Sequence, residues 1–287
     1  MAPFERLRAP GLLFQCFLGA LAAVLVVRIT PGLADAGKSQ PAMFALFYLG
    51  MGLVLLVRGQ QAQVDATKLF GPTPALETLQ LTVVALPLGM LAIAGFWLLF
   101  LPLSFVAPDF VRAWAIANAN QQPIQTLPIW ISQLLVAVVV APVVEEVLFR
   151  GILMQRWALR WGTRTGVVVS SAVFAVGHVE LLGHFVFGVV LCLMYIRTRS
   201  LLLPIATHAL NNLLASLGGL ASVMKAQRAP QQMTMATLRA DWWIAFLLLA
   251  GGLGLLEIYR RKYWGGVPLK ALLDGPVPYA SSRRELA

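Results

Sequence analysis

The chain has 287 residues, of which 59% are hydrophobic and 12% charged, and 22 Lys and Arg against 12 Asp and Glu give a net charge of +10. Soluble globular chains carry roughly 25% charged residues, so this composition, with a mean hydropathy of +0.78, excludes a water-soluble domain and predicts a polytopic membrane protein. The basic excess does not indicate nucleic acid as a partner, because Lys and Arg fall between apolar runs and form no aromatic-interleaved patch. The lipid bilayer is the expected partner. Cys16 and Cys192 both lie in apolar runs and read as packing residues rather than as a disulfide.

Apolar runs close to the roughly 20 residues that cross a bilayer predict an all-α bundle of about eight membrane helices, at residues 11–30, 41–57, 81–106, 128–149, 166–182, 184–198, 201–221 and 242–258. The first run follows Arg6 and Arg8 and precedes "ADA" at Ala34 to Ala36, which imitates a cleavable signal peptide. Its 17-residue apolar core, "GLLFQCFLGALAAVLVV", is long for that role, and an uncleaved helix is expected. The fifth and sixth runs are short and only "LLGH" separates them, so one is expected to be tilted, re-entrant or shielded.

Three regions follow from these spans: 1–127 with about three spans, 128–221 as a core of four spans, and 222–287 with an external loop, a last span and a basic tail. The stretch 107–127 has room for a short interfacial helix, and "RAPQQMTMATLR" forms a second external loop. The tail from Tyr259, basic and rich in Gly and Pro, is expected to lie loosely on an anionic leaflet. With the N-terminus inside, fifteen Lys and Arg fall in inside segments and six in outside segments, with Arg150, at the edge of the fourth span, left uncounted. That bias predicts cytoplasmic N- and C-termini, in a plasma (inner) membrane.

Few polar groups remain within the spans. Glu145, Glu146 and Arg150 lie near the end of the fourth, His178 in the fifth, and His208 with Asn211 and Asn212 in the seventh. At 1.5 Å per residue, Glu145, His208 and His178 should sit roughly 8, 11 and 18 Å from the cytoplasmic ends of their helices, so the three can meet in one cavity. Glu146 and Arg150, four apart, share a helix face and are expected to pair. Glu145 is turned about 100° away and has no such partner on its own helix, and an unpaired acid in a membrane is functional by default. Asn211 points away from Asn212 and reads as a packing group, while Glu180 and His184 read as interfacial turn residues. Pro142 and Pro204 are expected to loosen nearby backbone.

A carboxylate beside an imidazole can deprotonate water, and imidazole and carboxamide donors on a facing helix can stabilise an oxyanion. That chemistry is peptide-bond hydrolysis without a covalent intermediate, and it needs no cofactor. The alternative is a zinc ion held by Glu145, His178 and His208, against which stand the absence of HExxH and the scatter of the ligands over three helices.

The three elements Glu145-Glu146 to Arg150 (EExxxR), Phe174 to His178 (FxxxH) and His208 to Asn212 (HxxxN) resemble, in that order, the pattern of the CPBP family. These are the CAAX-protease and bacteriocin-processing (Abi-type) intramembrane endopeptidases, which include the Ras-converting CAAX endopeptidase. The resemblance covers Pro142 to about Leu214. It implies that Glu145, with His178, activates water, that His208 and Asn212 stabilise the oxyanion, and that Glu146, Arg150 and Phe174 support them. It also implies a peptide or membrane-protein substrate, with a prenylated tail among the candidates. Family members with scaffold or bacteriocin-immunity roles keep a non-catalytic alternative open. A proton-coupled transporter would also use buried Glu and His, but no internal repeat is visible.

Overall fold

The computed structural model describes residues 3–29, 40–120, 127–226, 233–265 and 268–281. The Ala34 to Ala36 cleavage-like site and parts of both external loops lie outside the described residues. Among those described, the secondary structure is helical throughout, without a strand. Six helices are long and apolar enough to cross a membrane, and Thr163–Val176 and Leu202–Leu217 are shorter apolar helices. These eight segments correspond to the eight expected spans.

The long helices are α1 (Ala9–Ile29), α2 (Gln40–Gln61) and α4 (Leu76–Val106, whose first turns are 3₁₀), with the short α3 (Ala66–Phe70) before α4. The external stretch forms α5 (residues 108–119), a short helix as expected. Then come α6 (residues 127–161), α7 (Thr163–Val176), α8 (Leu181–Thr198) and α9 (Leu202–Ala226). The chain closes with α10 (Met235–Ala240), α11 (Trp242–Tyr263), α12 (Leu269–Asp274) and α13 (Pro278–Ser281).

Backbone sterics set two of the joints. α1 and α2 pack closely because Gly19 and Gly50 face each other, and a Cβ on Gly50 would run into the carbonyl of Gly19. Between α6 and α7 the chain reverses at Gly162, with φ +87°, a conformation that a side chain would strain. α4 is the central post: α8, α9 and α11 all pack on it.

Three expectations are corrected. The fourth span does not stop near residue 149, because its helix continues to Trp161. Hydropathy falls at Arg156 and Arg160, but Gln155, Trp157 and Ala158 are buried, so the last turns form an amphipathic extension that packs on other segments. Glu145 is therefore 16 residues, roughly 24 Å, from the end of its helix. The reversal between the fifth and sixth spans lies at residues 177–180, not at "LLGH", which is the first turn of α8. At 14 residues, α7 is roughly 21 Å long, short of a roughly 30 Å hydrocarbon core.

The third correction concerns the tail, which is not loose over residues 268–281. Leu272 and Val277 are buried, Thr163 Oγ1 donates to Gly275 O at 2.7 Å, and Arg164 pairs with Asp274 at 2.8 Å. Tyr279 packs edge-on against Phe4 with ring centroids 4.6 Å apart, so the two described chain ends meet at one end of the bundle. Fully buried Gln155 ties this end together, donating to Tyr195 Oη at 3.0 Å and accepting from the Tyr279 N–H at 3.0 Å. Tyr195 in turn donates to Leu69 O at 2.6 Å. A buried polar group left without its partner costs about 1–3 kcal/mol. Gln155→Ala is therefore expected to free the 268–281 segment, seen as faster protease cleavage there in detergent micelles while the apolar helices stay intact.

Candidate active site

The site is built on α6, whose hydrogen bonding is irregular where the charges sit. π-Helical segments at Val136–Val140 and Val147–Met154 flank Ala141–Glu146. Pro142 supplies no N–H to the preceding turn, consistent with the loosened backbone expected there, and such π segments gather at functional positions. The freed backbone finds a side-chain partner: Asn212 of α9 donates from Nδ2 to Ala137 O at 2.8 Å. Asn211 instead faces α4, its Oδ1 3.3 Å from where a Cβ on Gly89 would stand.

Glu146 and Arg150 form the expected ion pair, Arg150 Nη1 to Glu146 Oε1 at 2.6 Å, with side chains 0% and 1% exposed. The same Oε1 accepts from His208 Nδ1 at 2.8 Å. Because a carboxylate can only accept, that bond places the Nδ1 proton and turns Nε2 the other way. On that side lies Glu145, its Oε2 3.7 Å from His208 Nε2, beyond hydrogen-bond range. His208 is thus held between both acids and is nearer to Glu146.

Glu145 has a partner that the sequence reading did not include. Tyr48 of α2 donates its hydroxyl to Glu145 Oε1, and both residues are buried. A signal existed: a lone phenol in the apolar run "ALFYLGMG" needs somewhere to place its O–H.

Phe174 supports the cluster from α7. Its buried ring lies under Arg150, whose Cζ is 4.4 Å from the centroid, and its centroid is 4.5 Å from that of His178 and 5.9 Å from that of His208. A cation over an aromatic face gains roughly 1–2 kcal/mol when desolvated. His178 donates from Nδ1 to Phe174 O at 2.8 Å and stacks on His184 with centroids 4.1 Å apart. It therefore stands beside the cluster through Phe174, with no hydrogen bond to Glu145 among the described residues.

Glu180 and His184 lie at the turn into α8, as expected of turn residues, and Glu180 has a structural role there. Glu180 is 6% exposed and caps α8, accepting from the N–H groups of Gly183 at 2.7 Å and His184 at 3.2 Å. This cap fixes the turn that carries His178. Among the described residues, no group of three or more His, Cys, Asp or Glu is placed to hold a metal ion. The zinc set Glu145, His178 and His208 is not converged, because His178 turns to Phe174 O and His184.

Removing one partner of a buried ion pair strands the other charge, at about 3–5 kcal/mol. Arg150→Met is expected to lower stability by about that amount in denaturation measured in detergent micelles.

Residues 127–214, from the start of α6 into α9, match the model of a family described as type II CAAX prenyl endopeptidase Rce1-like. No curated protein and no solved structure matches the chain.

Proposed function

From the match of residues 127–214 to the model of the Rce1-like family, a protease family, we propose that this membrane protein is an intramembrane endopeptidase that hydrolyses a peptide bond with an activated water. The observation that carries the reading is the unequal state of the two adjacent acids. Glu146 is occupied by Arg150 and His208, whereas Glu145 faces His208 at 3.7 Å and is oriented by Tyr48.

In this reading Glu145 takes a proton from water, the resulting hydroxide adds to the substrate carbonyl, and the developing oxyanion is met by a donor from Asn212 and, in the doubly protonated form of the ring whose Nδ1–H stays on Glu146, by His208 Nε2–H. Collapse of the tetrahedral intermediate breaks the C–N bond, and the proton held by Glu145 passes to the leaving amine. His178, with Nδ1–H committed to Phe174 O, keeps Nε2 as an acceptor for the same water. Asn212 spends one amide N–H on Ala137 O and retains the second for the oxyanion. Tyr48 acts through Glu145 as a positioning residue.

The substrate proposed is a peptide segment near the membrane surface, with a prenylated C-terminal tail as the first candidate and a leader peptide as the second. The chain ends are proposed to face the cytoplasm, supported by their meeting at an end that also carries Arg6, Arg58, Arg164 and Arg197.

General-base catalysis contributes roughly 10²–10⁴-fold, so Glu145→Gln is expected to lower peptide cleavage by at least 100-fold with an unchanged melting profile in micelles. Tyr48→Phe should cause a smaller loss, roughly tenfold. Undiminished turnover in Glu145→Gln would end this reading.

A further inference from the structure

Away from the site, α1 and α2 frame a cavity of about 260 Å³ at the end where the described chain ends meet. Its wall includes Arg6, Arg8, Arg58, Gln15 and Gly11, and none of its described lining residues is acidic. It sits at the membrane edge, since the first apolar span begins at Ala9 and the second ends at Gln61.

Among the described residues, Arg6 donates to Gln63 Oε1 at 2.9 Å and Arg58 to Gln61 Oε1 at 2.8 Å, and both of these acceptors are neutral. Arg58 Nε and Gln15 Oε1 are buried without a hydrogen-bond partner among the described residues. A half-turn of the Gln15 amide exchanges its oxygen for an N–H₂, so both groups can be donors. Three guanidiniums around one cavity repel each other unless an anion joins them, and a guanidinium fork matches phosphate oxygens in pairs. A drug-sized ligand takes roughly 300–1,000 Å³, so this volume suits a smaller group.

We propose that the cavity between the N-terminal end of α1 and the C-terminal end of α2 binds a phosphate group, supplied by an anionic lipid headgroup or by free phosphate. The site depends on Arg6, Arg8 and Arg58, all outside the family-matched segment, and stands whether or not the chain is a protease. A bound phosphate would join the ends of the two helices, one of which carries Tyr48 ten residues, roughly 15 Å, from Arg58.

The test is native mass spectrometry of the full chain released from micelles containing phosphatidylglycerol or, separately, phosphatidylcholine. Phosphatidylglycerol is expected to be retained at least tenfold more than phosphatidylcholine. Arg6→Gln/Arg58→Gln should abolish that preference, and the exposed single substitution Arg8→Glu should weaken it should the double variant fold poorly. Arg160→Gln/Lys270→Gln, which removes equal charge elsewhere, should leave it intact. Displacement of the lipid by millimolar inorganic phosphate would identify free phosphate as a competent ligand, and resistance to it would assign the site to the lipid. No preference in the unaltered chain, or equal loss in the pocket and control variants, would overturn the proposal.

Discussion

The constraint on which the site depends is the fully buried carboxylate of Glu146. A charge in that position requires compensation, and it is met twice on one oxygen, by Arg150 from the next turn of α6 and by His208 from α9. The first bond keeps the charge within the bundle. The second fixes the ring of a histidine on another helix, and with it the nitrogen that faces Glu145. A pair that looks like local helix stabilisation thus sets the geometry between helices.

Each neighbour of this cluster can be understood as serving that geometry. Phe174 gives Arg150 an aromatic face and spaces His178 from His208. Asn212 secures a carbonyl in the π segment of α6, so α9 grips α6 at the acid pair through His208 and above it through Asn212. Glu180 caps α8 and ends the short turn that holds His178 beside Phe174. The polar groups are few, and most have a named partner on another element. That economy is expected where unsatisfied groups have no water to turn to.

Much of this was legible in the sequence because charge in an apolar run is conspicuous. The eight apolar helices, the Glu146–Arg150 pair and the approach of His208 to the acids all follow from hydropathy and helical spacing. Tyr48 was not found because a tyrosine in a hydrophobic run also reads as a packing residue, and its partner lies 97 positions away. The continuation of α6 was hidden by Arg156 and Arg160, which end a hydropathy window without ending a helix. Tail docking was equally hidden, since Gln155, Thr163, Phe4 and Asp65 each supply one contact from distant segments. Linear spacing allowed His178 to meet Glu145 in one cavity, but the early reversal at residues 177–180 turns it towards His184 instead.

The central claim is that the buried pair acts by holding His208, and not merely by stabilising α6. Replacing both charges with apolar groups of similar volume tends to preserve stability while removing the acceptor for His208 Nδ1. The decisive measurement is the turnover number of a Glu146→Met/Arg150→Met chain, purified in micelles and shown to melt like the unaltered protein. At least a tenfold fall in turnover in that folded double variant is predicted, and turnover equal to that of the unaltered protein would contradict the account.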